Sequence, residues 1–137
     1  MTYLLDTDFL SLATQKKRPH EEALRWLARH EQECCLPVVA MAEARFGAEQ
    51  APEDARQDLL AKLGMVREQF AGSILGVGED VLVRWKQLLR DLKTARKTMT
   101  CEDTLIAATA LQHDLTVVTR NTSHFAHSGC RTFNPIA

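Results

Sequence analysis

The chain has 137 residues, 17 basic and 18 acidic side chains, and a net charge of −1. That is one domain's length with room for a real core, and a composition of 45% hydrophobic and 26% charged residues is ordinary for a soluble globular protein. It excludes a strongly basic chain whose composition alone would announce nucleic acid, and no apolar run approaches the roughly 20 residues of a membrane span.

Thr2 to Asp6 is a short apolar run ending in an acid, the pattern of a buried parallel strand. It lacks the basic-then-apolar order of a signal peptide, so a cytoplasmic location without membrane attachment is expected. Phe9–Ala13 reads as one or two helical turns, and Lys16–His20, with Pro19, as a loop. Glu21–Glu31 is an amphipathic helix with Leu24, Leu27 and Ala28 on its stripe; Cys34–Leu36 is a second strand before Pro37. Val38–Gln50 is a helix, with Gly47 inside it. Pro52 opens another, with Leu59, Leu60, Leu63 and Val66 as its seam.

Ser73–Val77, between two glycines, is a third strand. Glu79–Leu92 is the clearest helix, with Val81, Leu82, Trp85, Leu88, Leu89 and Leu92 on one face. Thr94–Cys101 is polar and reads as a loop; Glu102–His113 is a mostly apolar, buried helix. Leu115–Thr119 is a β-branched strand, and Thr132–Phe133 an edge strand before Pro135. Strands alternating with helices predict an α/β fold, a three-layer α/β/α sandwich with a mostly parallel central sheet, in one domain spanning 1–137.

Four cysteines are present, and no Cys-x-x-Cys spacing. Free thiols are expected, with Cys34 and Cys35 on opposite faces of their strand. His124 and His127, among Gly and Ser, read as a surface loop rather than a metal site. There is no glycine-rich phosphate loop, and no serine or cysteine paired with a base.

The acids carry the chemistry. In an open parallel sheet, ligands bind beyond the carboxyl ends of the strands at a switch in strand order. Asp6 stands at such an end among apolar residues, where packing gives no reason for an acid. Helix capping competes with this reading; it is preferred for Asp8, whereas the site reading is preferred for Asp6. Asp103 opens an apolar helix beside Glu102, where capping or dipole pairing is the bland account. Glu43 lies in the core-like run Val-Val-Ala-Met-Ala-Glu-Ala-Arg-Phe-Gly and needs a cation, a donor or solvent, unless it simply pairs with Arg45. Converging acids repel unless a divalent ion lies between them, and oxygen ligands favour Mg²⁺ or Mn²⁺. Such an ion handles phosphate and acidifies water. Arg84, Lys86, Arg90, Lys93, Arg96 and Lys97, with Lys16, Lys17 and Arg18, form two basic clusters. Alone they read as solvated surface; beside a metal site they suit an anionic substrate.

Leu-Leu-Asp-Thr-Asp (4–8), Glu-Ala-Arg-Phe-Gly (43–47), Glu-Asp-Thr-Leu-Ile-Ala-Ala-Thr-Ala (102–110), Leu-Thr-Val-Val-Thr-Arg-Asn-Thr (115–122) and Asn-Pro (134–135) together resemble a PIN domain. More closely, they resemble the VapC/FitB-type toxins of type II toxin–antitoxin systems. The resemblance implies a metal-dependent endoribonuclease acting on RNA, a homodimer, and inhibition by a cognate antitoxin. It implies Asp6 and Asp103 as metal ligands and Glu43 as the third acid, often through water. Thr119, Asn121 and Asp8 then become supporting groups, and Arg120 a contact for phosphate or antitoxin. The chain departs from the family at Asp8, where Asn is common, and after the late strand, where Asn121 and His124 stand in place of a fourth acid. Two rival readings remain. One is a PIN-like module that binds RNA or protein without turnover. The other is a haloacid-dehalogenase-like phosphatase with Asp6 as nucleophile, disfavoured because residues 115–137 hold no acid.

Overall fold

The computed structural model describes residues 1–15 and 18–137. The chain begins with strand β1 (Tyr3–Leu5), helix α1 (Thr7–Leu10) and a π-helical turn (Ser11–Gln15). Helix α2 (Glu21–His30), strand β2 (Cys34–Pro37), helices α3 (Val38–Gln50) and α4 (Glu53–Gln69), and strand β3 (Ile74–Leu75) follow. Helices α5 (Glu79–Ala95) and α6 (Cys101–His113), strand β4 (Thr116–Val118), a 3-10 turn (Thr122–Phe125) and strand β5 (Arg131–Phe133) complete it. None of the described helices is long and apolar enough to cross a membrane.

The five strands form one sheet in the order β3-β2-β1-β4-β5, every pairing parallel. The chain steps outward from β1 to β2 to β3, then returns to lay β4 on the other side of β1. The switch in direction therefore falls between β1 and β4, where Leu5 pairs with Val118. Asp6 and Thr119 follow these two residues directly. Backbone bonds extend the ladder there: the Asp6 N–H donates to the Val118 carbonyl at 3.1 Å and the Thr119 N–H to the Phe133 carbonyl at 3.0 Å.

Side chains alternate across the sheet as the pleat requires. Leu5, Cys34, Leu36 and Val118 face a core shared with Phe9, Leu27, Leu63 and Phe70 from the α1–α4 side. Leu4, Cys35 and Val117 face the other, built with Leu88, Leu92, Ile106 and Phe125. Cys34 and Cys35 thus do point to opposite faces, and all four cysteines are free. Each fully buried Leu or Phe contributes roughly 1.5–3 kcal/mol.

The elements differ from the expected ones mainly in which face they bury. Helix α2 packs through Ala23 and Leu27, leaving Leu24 47% exposed and Ala28 on the outside. Leu60 and Leu82 likewise lie at the rims of their apolar stripes rather than within them. The third strand is two residues long, not five, because only Ile74 and Leu75 find partners on β2. The expected 94–101 loop shrinks from both ends: α5 runs to Ala95, closed by Arg96 at φ 56°, and α6 begins at Cys101. Residues 96–100 therefore fold α5 back along α6, with the Trp85 indole N–H donating to the Thr104 hydroxyl at 2.9 Å.

Candidate active site

Asp6 ends β1 and begins α1. Its Oδ1 accepts the Phe9 N–H at 2.8 Å, so Asp6 is the N-cap of the short helix. The expected capping role of Asp8 is thereby corrected: Asp8 lies within the first turn and its carboxylate takes the Arg120 guanidinium in a fork, 2.9 Å on each arm. Asp6 is only 4% exposed. Burial pushes its carboxyl from the ordinary 3.8 up to about 6; bonds from Thr119 and Phe9 oppose the rise, and the charges of Asp8 and Asp103 add to it.

Glu43 projects from α3, half-buried, and its Oε1 accepts the Thr7 hydroxyl at 2.5 Å. Arg45 is not its partner; that guanidinium pairs with Glu49 one turn on, at 2.7 Å. Glu43 is raised by burial, lowered by Thr7, and raised again by Glu102 and Asp103. Asp103 sits in the first turn of α6. The cap of that helix is Thr100, whose hydroxyl accepts the Asp103 N–H at 3.1 Å. The Asp103 carboxyl is raised by burial, lowered by a bond from Thr100 and by His124, and raised by Glu102.

Asp103 is thus the common member of the group, since its charge acts on both Asp6 and Glu43. Among the described residues, no three His, Cys, Asp or Glu side chains close into a ready-made metal cage. The donor chemistry still fits a hard divalent ion, because Mg²⁺ keeps several waters and takes only one or two carboxylates directly. Three carboxyls raised by burial or by one another mark a place where negative charge lacks compensation, which a cation supplies. The two strand-β2 thiols fit no such role, nor that of a nucleophile: burial pushes Cys34 to about 12 and Cys35 to about 11.

The supporting residues are near. Thr119, fully buried, bonds Asp6 and accepts the Asn121 N–H at 2.9 Å. Sequence reasoning missed Thr7, whose hydroxyl fixes Glu43, and nothing in the sequence separates it from any other threonine. Glu102 is exposed, as expected, and His124, which stands where the family commonly has an acid, comes close to Asp103. His124 is on the 3-10 turn, with Nδ1 3.8 Å from Asp103 Oδ2. His124 and His127 line a cavity of about 560 Å³ that opens over Asp103.

Of the basic residues, Arg18, Arg84, Lys86, Arg90, Lys93, Arg96 and Lys97 are exposed. Lys16 and Lys17 lie outside the described residues. Lys86, Arg90 and Lys93 follow i, i+4, i+7 spacing along one flank of α5; Arg84 falls on the opposite flank, and Arg96 and Lys97 lie beyond the helix end. Arg120 pairs with Asp8, and its side chain is 39% exposed.

Comparison with known proteins gives concordant results. The sequence profile described as the PIN domain matches residues 3–128. The chain is 33% identical over 135 residues to Toxin FitB of Neisseria gonorrhoeae, covering 96% of both chains. It is 32% identical, with the same coverage, to VapC ribonuclease Y4jK of Sinorhizobium fredii. The crystal structure of FitAcB from Neisseria gonorrhoeae superposes with a TM-score of 0.88 at 33% identity, covering 98% of each chain.

Proposed function

Since this chain belongs to the PIN-domain family, among toxins of the VapC/FitB type, we propose that it is the ribonuclease toxin of a type II toxin–antitoxin system. Its substrate on this reading is RNA, cut internally with the help of Mg²⁺, or Mn²⁺ in its place. The whole of 1–137 acts as one PIN domain, as a homodimer in the cytoplasm, silenced by a cognate antitoxin. The observation that carries the reading is a carboxyl, Asp6, only 4% exposed at the switch point of the sheet, raised chiefly by its burial, with the charge of Asp103 adding to it and to Glu43.

Asp6 and Asp103 would hold the ion, and Glu43 would face it through water. PIN-domain ribonucleases generally use a divalent metal; when bound, it neutralises charge on the scissile phosphate and acidifies water. The remaining work belongs to the chain. The Phe9 N–H and Thr119 hydroxyl fix the Asp6 carboxylate, and Thr7 aims Glu43. Glu43, raised by its surroundings, accepts a proton from the attacking water. In-line attack on the phosphodiester leaves a 5′-phosphate and a 3′-hydroxyl. The basic flank of α5 and the 16–18 segment hold the RNA backbone.

A second reading, RNA binding without turnover, draws on Asn121 standing where the family commonly has a further acid. One experiment separates the two. A total-RNA pool is incubated with the wild type plus Mg²⁺, with EDTA, and with Asp103→Asn. New 5′ ends in the first reaction alone are expected, and sequencing them identifies the target. RNA retained uncut in all three favours the binding module and overturns the nuclease.

A further inference from the structure

We propose that His124 supplies a nitrogen donor to the cation held by Asp103, so that this site favours Mn²⁺ over Mg²⁺. The inference rests on the reading of Asp6 and Asp103 as the residues that hold the ion, and specifies which ion they prefer.

The argument begins with distance. His124 Nδ1 lies 3.8 Å from Asp103 Oδ2, too long for a hydrogen bond. Two donors on adjacent corners of an octahedral ion, each about 2.1 Å from it, lie roughly 3 Å apart. A small rotation of an exposed side chain closes that difference. His124 is free to make it, because its side chain is 58% exposed, while its backbone is fixed. The His124 N–H donates to the Asn121 carbonyl at 2.9 Å, and the next residue, Phe125, is buried in the core. The turn is thus anchored and the imidazole is not. Asp103 and His124 both line the cavity there.

The chemistry then sets the preference. Mg²⁺ is suited by oxygen donors and water, whereas an imidazole raises affinity for the softer first-row ions, of which Mn²⁺ also accepts carboxylates. An acid at this position would leave an all-oxygen site; a histidine makes it mixed.

The test uses the purified chain with Mn²⁺ or Mg²⁺ as the only added ligand. Pulsed electron paramagnetic resonance of bound Mn²⁺ should show nitrogen coupling in the wild type and in His127→Ala, and lose it in His124→Ala. Calorimetric titration should show His124→Ala weakening Mn²⁺ on the order of tenfold while Mg²⁺ binding stays within about twofold. Absence of nitrogen coupling in the wild type overturns the proposal. So does equal weakening of both ions, or a coupling that follows His127 instead. If nitrogen-coupled Mn²⁺ binds but no RNA is cut, the nuclease reading falls and this inference stands. If RNA is cut but Mn²⁺ shows no nitrogen, the reverse holds. A wild type that binds neither ion removes both.

Discussion

Asp6 holds a helix end with one oxygen while its charge sits nearly out of water. Burial raises it from 3.8 to about 6, so the ionised form costs the metal-free fold about 3 kcal/mol. The direction follows from linkage. Below pH about 4 the carboxyl is protonated in both folded and unfolded chains, and the cost is absent; it grows as pH rises and is complete above about 6. Asp6→Asn keeps a capping oxygen and removes the charge. In EDTA it should therefore stabilise the protein at pH 8 by up to about 3 kcal/mol, the gain fading toward pH 4.5, as read from urea midpoints, while RNA cleavage disappears. Equal destabilisation at both pH values would contradict this. Thr7→Val tests the other arm. It removes the donor to Glu43 and should lower the cleavage rate about tenfold, with little change in melting temperature. The candidate acids Asp6, Glu43 and Asp103 stood out in the sequence because each is an acid in an apolar context. Thr7 did not, since it acquires meaning only from Glu43, distant along the chain, and His124 stood out only as a non-acid where the family commonly has an acid.

The elements were legible where a period was long and clean, as in α3, whose bounds were read residue for residue. The buried face was less so. A stripe of apolar residues wider than the contact it makes leaves its rim exposed, which is why Leu24, Leu60 and Leu82 look like core in the sequence and are not. Strand β3 was overestimated for a related reason: Gly72 and Gly78 bound an extended segment, but pairing ends where β2 runs into α3. The start of α6 matters most, because it carries Asp103. Thr100 caps it, and Thr100→Ala should cost about 1 kcal/mol in urea unfolding. Loss of the cap also frees the first turn, so cleavage should fall by more than the stability change explains. An unaltered rate would show that Asp103 is held by packing alone.

On the scale of the whole molecule, near-neutral net charge conceals an uneven surface. Lys86, Arg90 and Lys93 share a flank of α5, and Arg96 is the exposed residue that closes the helix. Neutralising Arg90, Lys93 and Arg96 together should weaken RNA binding and reduce the salt slope by up to about 2, at roughly 0.7 per phosphate contact on a single strand. Arg84→Ala, on the other flank, should leave both unchanged. The three-layer architecture was legible from the alternation of strands and helices, but the strand order was not, because pairing partners leave no mark in a single sequence. That order places the earliest strand at the centre, with Tyr3 beside Thr116. A nascent chain on the ribosome therefore carries Asp6 for most of its synthesis without the neighbour that seats it. A polypeptide released before Val118 has emerged lacks the strand that flanks β1 on one side and the carbonyl that takes the Asp6 N–H, so the site at the head of the sheet can be assembled only once nearly the whole chain exists.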